Sequence, residues 1–374
     1  MRLSGPPALY AADRAAHLHG HDRSCPYGGT GTPLCYTTSR TAHPPSATPT
    51  TERPMSAPMP FRRLGRTGLH VSALSLGTVE LGLDYGIAAP GHFGRPAEAD
   101  AIRLVHHALA AGINFIDTAR VYGSSEAVLG KALAGRRQQV VLASKVSTQG
   151  PGGTGLTPAD LRRQMLASLD ASLQTLQTDY LDIWQVHNVD RATLAAADTL
   201  ADVFDHARRS GKIRWSGGSF YGDALPLAAL KTGLFDVMQV TYSVLDQRLA
   251  DAFFPAAEAQ DVGVVVRSVL LKGVLTERAD HLPAHLDALR RRSQAFRTLA
   301  AGSGLAATPA QIAIAFALAQ PAIHTVLIGV RTVEELADNL PATAIRLPES
   351  LQRQLAALRL DAPDLLNPAT WGIP

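Results

Sequence analysis

The feature that most constrains this chain is an alternation that repeats eight times after residue 60. Each repeat is a short apolar run followed by an amphipathic stretch of helical period. ALSLG precedes a helix expected at Asp100–Ala111, NFIDT precedes SSEAVLGKALAG, and VVLASKV precedes TPADLRRQMLASLDASLQTL. LDIWQV is followed by LADVFDHARRSG, KIRWSGGS by DALPLAALKTG, and DVMQV by LADAFFPAAEAQ. GVVVRSV leads into a long helical region ending near Gln320, and HTVLIG into TVEELADNL. Short, continuously apolar runs are what parallel strands covered on both faces require. Eight strand–helix units over about 300 residues fit a closed (β/α)8 TIM barrel better than an open doubly wound sheet. The expected fold class is therefore α/β, a single barrel domain over residues 61–374. GRTGLHVSALSLGT reads as a turn at Gly68 and then a strand entering the core.

Residues 1–60 have another texture, rich in Pro, Ser, Thr and Gly and without either periodicity. MRLSGPPALYAADRA starts with a positive charge but lacks the apolar run of a signal peptide. The segment is expected to be a disordered tail, or to precede a true start at Met55 or Met59. His17, His19 and His21 cluster within it, but a segment without fixed geometry makes no metal site, and no metal is expected. The two cysteines, Cys25 and Cys35, are both in this segment. The barrel then folds without disulfides or thiolate ligands, as in a reducing cytoplasm. The net charge of +3 is spread without a basic stripe, so nucleic acid is not expected as a partner. No run of about 18 apolar residues would span a membrane. A monomer acting on a small molecule is the default.

One motif misleads. Gly150, Gly152 and Gly155 satisfy G-x-G-x-x-G between a strand and a helix. In a dinucleotide fingerprint the helix begins among the glycines, so that its N-terminus meets the pyrophosphate. Here Thr157 is the natural cap and Pro158 the natural first helical residue, which starts the helix after the last glycine. A loop on the barrel rim is the expected reading. GGTGT at Gly28–Thr32 lacks the lysine of a phosphate loop.

The chemistry lies elsewhere. Barrel enzymes work at the C-terminal ends of their strands. Asp117 ends NFID, Tyr122 lies in the loop beyond it, Lys145 ends VVLASK, and His187 ends LDIWQVH. Three consecutive strands thus deliver four polar groups to one rim. Tyrosine, with an ordinary pKa of about 10, is a poor acid at neutral pH. A nearby ammonium lowers that pKa, a carboxylate anchors the ammonium, and an imidazole can orient a carbonyl. Such a set delivers a proton to a carbonyl oxygen while hydride reaches the carbon.

GINFIDTARVYGSSEAVLGKAL (Gly112–Leu133) resembles the signature segment of the aldo-keto reductase superfamily, and the likeness runs from about Phe61 to the C-terminus. The resemblance implies an NAD(P)H-dependent carbonyl reductase with Asp117, Tyr122, Lys145 and His187 as its catalytic tetrad. It also implies a cofactor extended across the barrel mouth. Gly77, Thr78, Ser268 and Gly329 would be among the cofactor contacts, Ser219 and Gln239 would hold the nicotinamide carboxamide with Arg267 beside the ring, and Arg331, Thr332, Glu335, Asp338 and Asn339 would meet the adenosine end. Phe220 stands where the family has an asparagine. Arg267 stands where many members have a ring-stacking tyrosine, and its planar guanidinium can stack as well. Arg331 and Thr332 at a helix start suit a 2′-phosphate, which favours NADPH over NADH. Glu335 departs from the pattern and would repel that phosphate. For the carbonyl substrate the candidates are Tyr85, Phe93, Trp184, Asn188 and Tyr242, with Trp371 closing over the mouth or capping the barrel. The alternatives are a cofactor-binding regulatory subunit with little turnover, and a non-redox barrel such as an isomerase.

Overall fold

The structure is a computed structural model and describes residues 58–374. The expectations for residues 1–57, including His17, His19, His21, the cysteines and Met55, lie outside the described residues. Each of the eight apolar runs forms a strand. They are β3 (Leu74–Gly77), β4 (Phe115–Asp117), β5 (Val141–Val146), β6 (Leu181–Val186), β7 (Ile213–Ser219), β8 (Val237–Thr241), β9 (Gly263–Arg267) and β10 (Thr325–Gly329). All neighbours are parallel, and the order β10-β3-β4-β5-β6-β7-β8-β9 closes into a barrel. Closure is made by β10 on β3, in register from Val326↔Leu74 to Gly329↔Gly77.

Two strands precede the barrel, β1 (Phe61–Arg63) and β2 (His70–Ser72), paired antiparallel. The expected turn at Gly68 is there, in the left-handed region at φ 69°, where glycine carries no Cβ penalty. It closes this hairpin, however, and only Leu74–Gly77 enters the barrel. The apolar residues Leu64 and Val71 are fully buried and pack on Phe115, Ile183, Val265 and Leu327, stopping one end of the barrel. Residues just ahead of residue 61 also pack with the barrel. Met59 packs on the core, and the Pro60 carbonyl accepts from the Ala73 N–H at 2.8 Å.

The helical layer follows the sequence pattern. Pro158–Leu176 starts with Thr157 accepting from the Asp160 N–H at 3.2 Å, so the glycines stand outside the helix. The long helical region expected after β9 is two helices, Asp287–Ala301 and Pro309–Leu318. The second opens with a reciprocal cap between Thr308 and Gln311 and with Pro309 in its first turn, a combination that starts a helix and cannot lie inside one. Outward-facing strand residues pack under this layer. Trp184 meets Phe204 edge to face at 5.6 Å, and burying such a side chain contributes roughly 1.5–3 kcal/mol or more.

Residues alternate between the two faces of each strand. Phe115, Ala143, Ile183, Val237, Val265 and Leu327 share one apolar cluster inside the barrel. Two positions further along the same strands stand Asp117, Lys145, Gln185, Gln239, Arg267 and Gly329. The barrel interior thus changes from oil to charge within one step of the pleat, and that step sets the floor of the site.

Candidate active site

The four residues expected at the rim come together. Asp117 and Lys145 are both buried and form an ion pair. The Lys145 Nζ also donates to the Thr118 carbonyl at 3.0 Å and to the Tyr122 hydroxyl at 3.4 Å. The other oxygen of Asp117 accepts from Gln185 Nε2 at 3.0 Å and from Gln239 Nε2 at 2.8 Å. The His187 ring stands edge-on to the Tyr122 ring, with centroids 5.7 Å apart. Gln185 was not anticipated. Its signal was available, because it pairs in register with Lys145 and shares its parity.

Tyr122 is held by its loop. Gly82, after β3, lies so close that a Cβ there would come within 1.7 Å of the Tyr122 carbonyl oxygen. Beneath the loop, Thr118 Oγ1 and Ser125 Oγ are 2.9 Å apart; Ser125 Oγ donates to Thr78 Oγ1 at 2.7 Å, and Thr78 Oγ1 to the Asp117 carbonyl at 2.9 Å. These bonds tie the ends of β3 and β4 to the helix Ser125–Ala132 and fix where the phenol points.

Burial first, and then Asp117, push the Tyr122 phenol well above its ordinary range, while Arg267 pulls it down. The expected lowering by Lys145 does not dominate, because the ammonium is committed to Asp117. Burial lowers the Lys145 ammonium, against the pull of Asp117. His187 is pushed down to about 3, by burial and then by the Lys145 and Arg267 charges. At neutral pH the phenol therefore carries its proton and the imidazole is neutral.

These groups face a cleft of about 430 Å³ that runs past Gly77 and Gly329 to Glu335, Asp338 and Asn339. Thr78, Ser268, Tyr85 and Asn188 line it as expected. Ser219 is buried behind Gln239, its Oγ 3.5 Å from the Gln239 Oε1. Three substrate candidates do not reach the cleft. Trp184 has the outward parity of β6 and packs under the helices. Tyr242 stacks on Phe316 at 5.8 Å, buried. Phe93 is only partly buried and its neighbour His92 lines the cleft instead. Trp371 is buried in the core cluster and is not among the residues that line the cleft. Phe220 is buried against Phe235 at 5.6 Å, and its carbonyl accepts from Arg267 Nη2 at 2.9 Å.

The adenosine end differs from expectation in one respect. Glu335 accepts from the Arg331 guanidinium at 2.6 Å, from the Arg331 N–H at 2.8 Å and from Arg278 at 2.7 Å. Thr332 caps the Glu335 N–H at 3.2 Å. The donors expected to be free for a phosphate are thus engaged within the chain, and neither Arg331 nor Thr332 is among the residues lining the cleft. Arg278 and Glu80 do line it and were not anticipated. Glu80 has an unpartnered buried oxygen, and burial raises its carboxyl to about 7. A nicotinamide dinucleotide fits this surface: no side chain rises from Gly77, Gln239 presents an amide at the floor, and Glu80, lying where a Cβ on Gly329 would fall, keeps one buried oxygen without a partner among the described residues. No group of three His, Cys, Asp or Glu among the described residues could hold a metal ion. No helix among them is long and apolar enough to cross a membrane.

Comparison with known proteins agrees with this geometry. The oxidoreductase YrpG of Bacillus subtilis (strain 168) is 33% identical over 332 residues, covering 79% of this chain and 95% of YrpG. L-galactose dehydrogenase of Arabidopsis thaliana is 32% identical over 300 residues, covering 75% and 87%. The holo form of aldo-keto reductase AKR11C1 from Bacillus halodurans superposes with a TM-score of 0.67 at 28% identity, covering 81% of this chain and 97% of that one. Residues 73–359 match the model of the Aldo/keto reductase family. The chain belongs to that family, and is an oxidoreductase of the nicotinamide-dependent kind.

Proposed function

We propose that the protein reduces an aldehyde or ketone to the alcohol, with Tyr122 as the proton donor and NADPH as the preferred cofactor. The observation that carries this reading is the Tyr122 hydroxyl, held 3.4 Å from the Lys145 ammonium and beside the His187 ring at the cleft floor. When bound, the cofactor supplies hydride to the carbonyl carbon. The pair of electrons displaced to the oxygen is met by the Tyr122 proton, which leaves a phenolate. His187, neutral at working pH, can donate a hydrogen bond to the carbonyl oxygen but cannot serve as an imidazolium acid. Asp117, held by Lys145 and two amides, keeps the ammonium charged in a buried place.

The nicotinamide half is assigned to Gly77, Thr78, Ser219, Gln239, Arg267, Ser268 and Gly329. The adenosine half is assigned to Arg331, Thr332, Glu335, Asp338 and Asn339. Arg278 and Arg331 around Glu335 place two guanidinium groups near the adenosine end, which supports NADPH; Glu335 and the nearby Glu80 limit the margin. The polar lip of Tyr85, Asn188, Tyr221 and Lys272 suits hydroxylated carbonyl compounds, in line with a relative named for L-galactose. The test is reduction of a carbonyl panel that includes aldoses and a nitrobenzaldehyde, with Tyr122→Phe as control. Wild-type turnover in that variant would remove Tyr122 from the role. Tighter binding of NADH than of NADPH, followed by intrinsic fluorescence, would reverse the cofactor assignment.

A further inference from the structure

The cleft holds an acid that the tetrad does not use. Gly77 and Gly329 face each other in register across the seam of β3 and β10, and β10 stands between β9 and β3 in the closed order. A ligand reaching from Tyr122 and Gln239 to Asp338 and Asn339, all lining one cleft, crosses that glycine pair. Glu80 stands at the crossing. A Cβ on Gly329 would run into its carboxyl group, 2.7 Å from Oε2, so the glycine leaves the carboxyl room to lie on the floor. That oxygen is buried and has no hydrogen-bond partner among the described residues. The guanidinium groups of Arg278 and Arg331 are paired with Glu335 instead. A carboxylate stripped of water, with one oxygen left empty, is costly enough that such a group keeps its proton. A protonated carboxyl is a donor in search of an acceptor.

The two halves of a nicotinamide dinucleotide join at the diphosphate, whose ionised oxygens are the strongest acceptors in the middle of the molecule. We propose that Glu80, as the protonated acid, donates a hydrogen bond to a diphosphate oxygen of the cofactor, so that cofactor binding takes up a proton. This rests on the reading of the cleft as the cofactor's. Burial is the largest influence on the carboxyl and raises it to about 7; Glu335 adds to the rise, and Arg278 and Arg331 oppose it. Tyr85 and Tyr122 are its neutral neighbours on the loops after β3 and β4. His92 stands beyond Glu335, at 3.7 Å from it, and Lys272 beyond Tyr85, at 4.6 Å from the ring centre. A group poised in this way answers to the charge of its ligand. The diphosphate raises the carboxyl further and draws the proton from solvent, whereas an ionised Glu80 would set like charges against each other.

NADH is the probe, because the 2′-phosphate of NADPH titrates near pH 6 by itself. Binding is followed by fluorescence from pH 6 to 8, and by calorimetry at pH 7 in phosphate and in Tris, whose heats of ionisation differ. Wild-type affinity is expected to fall about fivefold over that range, with roughly 0.4 proton taken up per NADH at pH 7, as a rise of about one pH unit in the carboxyl on binding requires. NADPH should fall less, because its 2′-phosphate gains charge toward the arginines over the same range. Glu80→Gln keeps a donor, so its affinity at pH 6 should stay within about twofold while the slope and the proton uptake vanish. Glu80→Leu should bind NADH roughly fivefold more weakly at pH 6 and be equally flat. Equal heats in the two buffers would overturn the proposal, as would a slope that survives Glu80→Gln. Affinity that rises with pH in wild type alone would also overturn it, by marking a carboxylate that accepts from ribose hydroxyls. The wild-type calorimetry decides the matter if a variant does not fold. No substrate is present, so these outcomes stand apart from the role of Tyr122; a protein that binds neither dinucleotide would overturn the reading of the cleft as well.

Discussion

The two ends of the cleft treat charge in opposite ways. At the tetrad end, Lys145 is closed off by Asp117, and Asp117 in turn by Gln185 and Gln239, all on inward positions of rigid strands. At the far end, Glu335 gathers Arg278 and Arg331 from elements that are not strands, at a place partly open to water. The first arrangement cannot relax when a member is lost, because burial leaves no solvent to take its place. The second can exchange its internal carboxylate for a ligand's charge. Fixed charge suits chemistry; exchangeable charge suits binding.

The contrast is broken or sharpened by four substitutions. Tyr122→Phe should lower turnover by roughly a thousandfold or more while leaving NADPH affinity within about threefold. Steady-state rates and fluorescence titration check this together. Asp117→Leu should cost about 3–5 kcal/mol of stability, since it strands a buried ammonium, visible as a lower urea midpoint. A loss below about 1 kcal/mol would mean that the tetrad end relaxes after all. Glu335→Gln should tighten NADPH roughly five- to tenfold by releasing both arginines, and leave NADH nearly unchanged; equal gains for both cofactors would place the 2′-phosphate elsewhere. The smallest effect belongs to Glu80. Its carboxyl is raised from 4.5 to about 7 in the fold, so between those values the unfolded chain loses the proton first. Stability from this group is then full below pH 4.5 and falls as pH rises through 7. NADPH affinity should fall roughly twofold to threefold from pH 6 to 8 as the carboxylate forms, and Glu80→Gln should flatten both trends.

The sequence was informative where a rule of period applies. The eight strands and the four rim residues follow from apolar runs that stop at a polar residue. The helix start at Thr157 follows from capping chemistry and correctly sets the glycine fingerprint aside. Parity would have gone further. Counting in twos from Lys145 along paired strands puts Gln185 in the interior row and Trp184 on the outside, yet Trp184 was grouped with the site because of its residue type. Phe93 and Tyr242 failed for the same reason, since an aromatic residue near a rim suits a core as well as a mouth. The Glu335 clamp was not legible because Arg278 reaches it from 57 residues away in the chain, and no local pattern records such a meeting. The hairpin that stops the barrel was hidden by its shortness, with three residues in each strand.

The close approach at Gly82 has a consequence for how this protein can change. A Cβ at that position would run into the Tyr122 backbone, and Gly123 faces Gly82 from the other side with φ 54°. The loop that carries the proton donor and the loop that carries Tyr85 are therefore keyed to each other at one point. Anyone reshaping substrate choice, by selection or by design, has more freedom beyond Leu83, whose own side chain lies against Gly123. Loop length and composition can drift there without dragging the acid out of line, whereas a single methyl group one residue earlier would silence every substrate at once.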